Sequence, residues 1–228
     1  MGVTYSRSGL IHLLKRLGFV YKKAKGFPAK ANVEAQDKFI KNLDKINDNM
    51  ELEDVLLFMN ATYPRHNSVS GFAWILRQKD YWVPTNCGRN RLNIHGAIDP
   101  KTLELVVRFE ETINRDTVIF LLQDIEQRFP HAPSIYVVCD NARYYHAQQI
   151  KTYLETSRIH LIFLPPYAPN LNLIERFWKF FKAKVQVNRY YETLHQFKSV
   201  CQYFFDHLDD YHKSLRSILT NNFEVIGL

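Results

Sequence analysis

The chain has 228 residues, of which 46% are hydrophobic, and this combination allows a full hydrophobic core and excludes a mostly disordered protein. Its formal net charge of +7 favours a polyanionic partner, although an ordinary basic protein has the same balance of charges. The odd number of cysteines argues against a disulfide framework or zinc site and for a reduced, cytoplasmic setting, and we expect neither a membrane span nor a signal peptide.

The sequence pattern of the N-terminal half predicts two helices followed by strands. Apolar residues at helical spacing predict a short helix over 5–17, which ends at Gly18. The basic segment after it contains Gly26 and Pro28, and it is either a solvated linker or a stretch of chain that follows a phosphate backbone. The next predicted elements are a helix over 35–49, a buried strand over 55–60 that ends in a polar residue, and three strands of an antiparallel meander over 71–76, 92–98 and 103–109.

The C-terminal half alternates strands with helices. Pro165, Pro166 and Pro169 interrupt the chain before an amphipathic helix that begins near residue 171. The predicted strands cover 134–139 and 159–164, and the predicted helices cover 117–129, 144–155 and 171–185, with further helices to about residue 219. This order indicates an α/β fold.

Polar residues stand where chemistry is expected on such a fold. Asn60 and Asp140 each end a predicted strand, and Glu175 lies one turn inside a later helix. Strand ends are where an open α/β sheet places its site, and converging carboxylates select hard cations such as Mg²⁺ or Mn²⁺. Taken alone, these acids are also consistent with helix caps and solvated turns.

Longer stretches of sequence carry a resemblance to a known family. The segments LPPYAPNLNLIERFWKFFK (164–182) and VVCDNARYYHA (137–147) resemble the DDE transposases of the mariner and related bacterial insertion-sequence superfamily. Thirty-four residues separate Asp140 from Glu175, which is the spacing of the second and third acids in that superfamily. VLLFMNATYPRHN (55–67) and NCGRNRLNIHGAI (86–98) resemble the segment around the first acid and the hairpin that follows it.

The resemblance implies an architecture for residues 1 to about 220. We expect a ribonuclease-H-like mixed sheet, with an antiparallel meander plus parallel strands, flanked by helices. Residues 33–228 would form the DDE catalytic domain. Residues 1–32 would be a short helical remnant of a helix-turn-helix DNA-binding region, followed by the basic linker.

One position departs from the family. The resemblance implies that Asp140 and Glu175 are catalytic and bind two Mg²⁺ or Mn²⁺ ions together with a first aspartate, but asparagine stands at that position, as Asn60. The amide removes one of three negative charges, so we expect chemistry slowed by at least about a thousandfold and DNA binding largely kept. Asp54 begins the strand, at its far end from Asn60, and is not expected to substitute.

Neighbouring residues have two interpretations each. Asn172 would cap its helix or orient the carboxylate of Glu175, and Asn141 and His146 would contact phosphate, support the metal ligands, or only form structural hydrogen bonds. Core packing is favoured over base stacking for Phe177 and Trp178.

The implied partner is double-stranded DNA, both the terminal inverted repeats of an element and a target, commonly at TA. A homodimer associated with the prokaryotic nucleoid is expected by analogy. Two alternatives are a non-catalytic DNA-binding protein and a general nuclease or integrase on the same fold. The predicted phosphate contacts, each weighed against a plain solvated charge, are Lys15, Arg16, Lys22, Lys23, Lys25, Arg89, Arg91, Lys179, Lys182 and Lys184.

Overall fold

A five-stranded mixed sheet forms the centre of the computed structural model, which describes residues 5–22, 26 and 28–227. The strand order β3-β2-β1-β4-β5 combines an antiparallel β1-β2-β3 meander with parallel pairing of β1 to β4 and of β4 to β5. This arrangement confirms the predicted ribonuclease-H-like mixed sheet. The strands are β1 Val55–Thr62, β2 Asn93–Ile98, β3 Leu105–Glu110, β4 Ile135–Cys139 and β5 Ile159–Phe163.

Helices lie on both faces of this sheet. Polar residues fix several helix starts, because a side-chain oxygen accepts a hydrogen bond from a free backbone N–H: Asn32 caps α2, Asn114 caps α3 and Thr193 caps α6. Within the described part of the chain, no helix is long and apolar enough to cross a membrane. The helices are α1 Arg7–Arg16, α2 Val33–Asn49, α3 Arg115–Arg128, α4 Gln148–Leu154, α5 Leu173–Val185, α6 Leu194–Asp206 and α7 His212–Ile218, with short 3₁₀ turns at Arg143–His146, Pro169–Leu171 and Leu208–Tyr211.

Two hydrophobic cores share β1, because successive side chains of a strand point to opposite faces. Leu57 and Met59 belong to the core that contains α3, whereas Phe58 belongs to the core that contains α5 and α6. Asn60 follows Phe58 at the next alternate position, so the alternation directs it to the face of α5. Phe177 and Trp178 of α5 are fully buried in that core, which confirms core packing over base stacking for both rings.

Three predicted elements differ from the structure. The strand predicted over 71–76 is wrong: the segment is irregular, and Phe72 and Trp74 are fully exposed, because β1 pairs directly with β2 and leaves no gap between them. β1 continues two residues beyond Asn60, since β2 still pairs with it as far as Thr62. The helix predicted over 144–155 is divided into a 3₁₀ turn and α4.

Candidate active site

The parallel pairing of β1 with β4 brings Asn60 beside Asp140. The register aligns Val55 with Ile135 and Phe58 with Val138, and two further steps along both chains align residue 60 with residue 140. β4 ends at Cys139, so Asp140 leaves the sheet at this point, while β2 holds β1 in place. Both side chains therefore stand at the carboxyl end of the parallel pair, where α/β sheets present ligand-binding groups.

The proline-rich loop and α5 bring Glu175 to the same place. The loop ends in the 3₁₀ turn Pro169–Leu171, and Glu175 lies in the first turn of α5. Asn172 stands at the N-cap position, but its side chain does not cap the helix, so that expectation is wrong. Its Nδ2 instead donates to the carbonyl of Met59 over 3.1 Å, and this bond fixes the start of α5 against β1, one residue before Asn60.

Hydrogen bonds define the arrangement of the three side chains. The amide Nδ2 of Asn60 donates to Oε1 of Glu175 over 2.7 Å, and its Oδ1 accepts from the backbone N–H of Ala61 over 2.7 Å. Oδ1 of Asp140 accepts from the backbone N–H of Ala142 over 2.9 Å. All three side chains are half-buried and line one cavity of about 270 Å³.

Burial and neighbouring charges determine the protonation of the site. Burial raises the pKa of Glu175, and the negative charge of Asp140 raises it further, whereas Lys182 and the hydrogen bond from Asn60 lower it. Burial, followed by the charge of Asp140, also raises the pKa of the Cys139 thiol and of the Tyr144 phenol. The neutral forms of these two groups are therefore favoured.

The donor groups fit a divalent cation only in part. Carboxylates are the ligands that Mg²⁺ and Mn²⁺ prefer, and Asp140 and Glu175 supply them. The amide nitrogen of Asn60 donates to Glu175, and its amide oxygen accepts from the backbone N–H of Ala61. In this arrangement Asn60 adds no third oxygen ligand. Among the described residues, no group of three or more His, Cys, Asp or Glu side chains is placed to hold a metal ion.

Asn141 and His146 have structural contacts close to the acids. Nδ2 of Asn141 donates to the carbonyl of Leu164, and this bond joins the end of β4 to the proline-rich loop. The ring of His146 is exposed and stacks on Phe163 of β5, with ring centroids 4.5 Å apart. The bond of Asn141 favours a structural hydrogen bond for that residue, whereas His146 makes a packing contact and its expected roles remain predictions.

The predicted phosphate contacts divide into several groups. Lys179 and Lys182 follow Glu175 on α5, and the charge of Lys182 acts on Glu175 directly. Lys184 packs over Phe180 and Tyr211 instead, and the guanidinium of Arg91 lies 4.9 Å from the ring centroid of Tyr63. Four of the predicted contacts are exposed side chains that are far from the acids in sequence: Lys15, Arg16, Lys22 and Arg89. Lys23 and Lys25 lie outside the described residues.

Sequence reasoning missed three residues near the acids. The guanidinium of Arg176 donates to the carbonyls of Ile218, Thr220 and Asn222, so it fastens the C-terminal segment beside Glu175. Tyr63 and Tyr167 are exposed rings close to the acids. Partial burial and, to a smaller extent, the charge of Asp140 raise the pKa of Tyr63 against the charge of Arg91, and Tyr167 lines the cavity. The position of Tyr167 among prolines was visible in the sequence, but its exposure was not.

Comparisons with known proteins agree with this geometry. A family model described as DDE superfamily endonuclease matches residues 55–198, and one described as winged helix-turn-helix matches residues 1–43. No curated protein matches the chain in sequence.

Solved structures of the Mos1 transposase are similar in fold. The Mos1 paired-end complex with the left transposon end has a TM-score of 0.69 at 13% identity, covering 96% of this chain and 72% of that chain. The mariner Mos1 paired-end complex with Mg has a TM-score of 0.68 at 15% identity, covering 94% and 68%. The catalytic domain of the Mos1 mariner transposase has a TM-score of 0.55 at 14% identity, covering 88% and 93%. At these identities the likeness establishes the fold.

Proposed function

The chain belongs to the DDE superfamily of endonucleases, and we propose that it is a mariner-like, cut-and-paste DNA transposase whose chemistry is impaired by Asn60. The observation that carries this proposal is the cavity at the carboxyl end of β1 and β4. It collects the two acids of the family motif, Asp140 and Glu175, and the amide at the position of the first acid.

DNA is the proposed substrate. A winged helix-turn-helix model matches residues 1–43, the net charge is +7, and the similar Mos1 structure is a complex with a transposon end. These observations support binding to the ends of an element, cleavage there and transfer of the cut strand into target DNA, for which TA is the proposed sequence. The domain boundary after residue 32, a homodimer and a nucleoid location remain predictions.

Asp140 and Glu175 would hold the divalent cation, and Mg²⁺ or Mn²⁺ is proposed because both ligands are carboxylates. A bound ion of this kind activates an attacking oxygen and stabilises a leaving oxygen in phosphoryl transfer, and the family motif implies two of them. The protein's own groups orient the acids: the N–H of Ala142 fixes the carboxylate of Asp140, and Asn172 fixes the start of α5. Lys182 supplies positive charge near Glu175, where a phosphate would lie.

Asn60 holds Glu175 in place but contributes no negative charge to the site. A cation would therefore face two carboxylates instead of three. Since each ~1.4 kcal/mol of lost transition-state stabilisation lowers the rate about tenfold, and metal ions contribute several kcal/mol, we expect a rate lowered by at least about a thousandfold. Binding to DNA depends mainly on contacts to phosphate and should be retained.

The test compares three forms of the chain on supercoiled plasmid and on duplex DNA with Mg²⁺. The unchanged chain is expected to bind duplex and nick it barely, Asn60→Asp to nick in a Mg²⁺-dependent way, and Asn60→Asp combined with Asp140→Asn to lose that nicking. Binding is followed by fluorescence anisotropy. Binding without nicking by the folded Asn60→Asp variant would contradict the proposal.

That contrary result would favour the second candidate, a repurposed DNA-binding protein that has lost turnover. One observation supports it: the amide of Asn60 already satisfies Glu175 without a cation. A general nuclease or integrase on the same fold is distinguished from a transposase by the cleavage of duplexes that carry element ends and of random duplexes. Only a transposase is expected to prefer the ends.

A further inference from the structure

Asn172 carries a buried polar atom that the protein itself does not satisfy. The residue is 1% exposed, and its Nδ2 donates to the carbonyl of Met59. Its Oδ1 is buried and has no hydrogen-bond partner among the described residues. Because an unpaired buried acceptor is costly, such atoms in native proteins usually accept a hydrogen bond from solvent or from a ligand.

The bond to Met59 decides which way the amide of Asn172 faces. A backbone carbonyl accepts hydrogen bonds and cannot donate one, so the nitrogen must face Met59 and the oxygen must face elsewhere. Met59 directly precedes Asn60 on β1. Asn172 stands at the N-cap of α5 and Glu175 is the third residue of that helix, two positions whose side chains are neighbours. The unpaired oxygen is therefore fixed between the elements that carry Asn60 and Glu175.

The cavity of the acids extends to Asn172. Its lining includes Asn172 together with Asn60, Asp140 and Glu175. Its volume of about 270 Å³ is far above the roughly 15 Å³ that one water molecule requires. A hydrated group in this cavity would thus meet two carboxylates and one amide oxygen that is free to accept a hydrogen bond.

A cation between two carboxylates would keep much of its water. Mg²⁺ demands octahedral coordination and gives up water reluctantly, so Asp140 and Glu175 would complete only part of its coordination. The remaining water ligands donate hydrogen bonds, and the groups that accept them contribute to metal affinity. The oxygen of Asn60 already accepts from Ala61, whereas Oδ1 of Asn172 has no such bond.

We propose that Oδ1 of Asn172 accepts a hydrogen bond from a water molecule of a hydrated Mg²⁺ or Mn²⁺ ion held by Asp140 and Glu175. This inference rests on the proposed function and assigns one further residue to its cation site. The amide has two separate roles, since Nδ2 fixes α5 to β1 and Oδ1 binds the hydrated ion. A neutral oxygen adds affinity but does not restore the charge that position 60 lacks.

Mn²⁺ is the probe, because the paramagnetic resonance signal of the free ion decreases as the ion binds. Asn172→Leu keeps the bulk of the side chain and removes both polar atoms, so we expect Mn²⁺ to bind at least about tenfold more weakly than to the unchanged chain. Asn172→Asp loses the donor to Met59 but keeps an oxygen, and it should bind Mn²⁺ at least as tightly as the unchanged chain. A role limited to the bond with Met59 would weaken both variants alike.

Asn170→Asp is the matched control for the added charge. Asn170 also has a buried, unpaired Oδ1, and its Nδ2 also donates, to Gln36 and to the carbonyl of Glu224. It lines a different cavity, which shares Glu175 with the first. The variant therefore places the same charge two residues away, and it should bind Mn²⁺ less tightly than Asn172→Asp does.

Three results would overturn the role of Asn172 and leave the proposed function standing. They are unchanged Mn²⁺ affinity in Asn172→Leu, equal weakening in Asn172→Leu and Asn172→Asp, and equal affinity of Asn172→Asp and Asn170→Asp. Circular dichroism confirms that each variant is folded, and Asn172→Ala replaces Asn172→Leu if the latter is not.

The same series is measured in the Asn60→Asp background, where three acids face the ion, if the unchanged chain binds Mn²⁺ too weakly to compare. Absence of Mn²⁺ binding in that background as well would overturn the cation site, and with it both the proposed function and the role of Asn172.

Discussion

Asn60 and Glu175 are joined by a 2.7 Å hydrogen bond in which the amide nitrogen is the donor. A carboxylate at position 60 has no donor to offer, so an aspartate there and Glu175 would repel each other unless a cation stood between them. With asparagine at position 60, the two side chains bind each other directly and need no metal ion between them.

Asn60→Asp should destabilise the metal-free protein. The substitution removes the donor to Glu175 and adds a third negative charge beside Asp140, so we expect the free energy of unfolding to fall by roughly 1 to 3 kcal/mol. Mg²⁺ should recover part of this loss, because it binds the folded acids and not the unfolded chain. Urea unfolding with and without Mg²⁺ measures both effects.

The control for that experiment is Asn93→Asp on β2. Nδ2 of Asn93 donates to the backbone carbonyls of Glu110 and Glu111, so the change also removes donors and adds a charge, but its partners are backbone carbonyls and not Glu175. Mg²⁺ should not restore its stability. Equal responses of the two variants to Mg²⁺ would argue against a cation site at Asp140 and Glu175.

The raised pKa of Glu175 predicts a dependence of stability on pH. Burial is its largest cause, so the folded protein holds the proton more tightly than the unfolded chain does. Stability from this group is full below the ordinary value of 4.5 and is lost as the pH rises through the raised pKa. Glu175→Gln should therefore be more stable than the unchanged chain at neutral pH, and the difference should shrink as the pH falls towards 4.5.

Thermal unfolding across this pH range provides the measurement. The matched change Glu155→Gln concerns an exposed carboxylate after α4 and should leave the pH profile unchanged. A Glu175→Gln variant that is less stable than the unchanged chain at every pH would show that the charge is favourable, contrary to the argument from burial.

His95 predicts the opposite dependence. Burial lowers its pKa from 6.5 to about 3, its Nε2 lies 3.0 Å from the hydroxyl of Tyr145, and its Nδ1 is buried without a partner. The unfolded chain takes up the proton first, so stability is present above pH 6.5 and is lost as the pH falls towards 3, by roughly 1.4 kcal/mol per pKa unit at most.

His95→Phe keeps a ring in the core and removes the titration, so its stability should vary less between these two pH values, although the lost contact with Tyr145 lowers it near neutral pH. Chemical denaturation at a series of pH values tests this. His131→Phe, at an exposed position, is the control; an unchanged acid profile in His95→Phe would show that His95 is protonated in the folded state.

The sequence singled out the residues of the cavity but not the way in which the fold brings them together. A motif of fixed spacing singled out Asp140 and Glu175, whose roles remain predictions, and the strands were found because apolar residues in short runs form buried strands. The alignment of residue 60 with residue 140 depends on the register of two strands separated by 80 positions, and no local pattern encodes a register of that range.

The errors have the same origin. The segment 71–76 is apolar, but the position between β1 and β2 that a meander would give it does not exist, because these two strands pair directly with each other. Asn172 has the residue type and position of a helix cap, yet its Nδ2 donates to the carbonyl of Met59, and its side chain makes no capping hydrogen bond to α5. The left-handed backbone of Tyr167 and the bonds of Arg176 to the C-terminal segment are tertiary features that composition does not reveal.

Arg176 should stabilise the C-terminal segment and, through it, the start of α5. Its guanidinium donates to three backbone carbonyls, of Ile218, Thr220 and Asn222, and lies 5.8 Å from the ring centroid of Phe223. Arg176→Lys keeps the charge but loses the forked geometry, so we expect a loss of roughly 1.5 to 3 kcal/mol and faster proteolysis after residue 219. Arg115→Lys, at an exposed ion pair, should change neither quantity.

Gly96 should be intolerant of a side chain because of its place opposite Asn60. The two residues are paired across β1 and β2, and a Cβ at position 96 would lie 3.0 Å from the carbonyl oxygen of Val106 and 3.2 Å from the ring of Trp178. The first contact is with backbone and the second with a fully buried ring, so neither gives way easily. We expect Gly96→Ala to lower the free energy of unfolding by roughly 1 to 3 kcal/mol.

A side chain at position 96 should push Trp178 away from β2. Because Trp178 lies three residues after Glu175 on α5, Glu175 should move with it. Gly88→Ala is the control, because a Cβ there would meet its nearest atom at an ordinary 3.8 Å. Urea unfolding measures stability, and the blue-shifted part of the tryptophan fluorescence of the folded state reports Trp178, since it is buried whereas Trp74 and Trp82 are exposed. The contrary result is that Gly96→Ala and Gly88→Ala give the same stability and the same fluorescence. That result would show that Trp178 of α5 does not pack closely against Gly96 of β2, and the expected effect on the position of Glu175 would be absent.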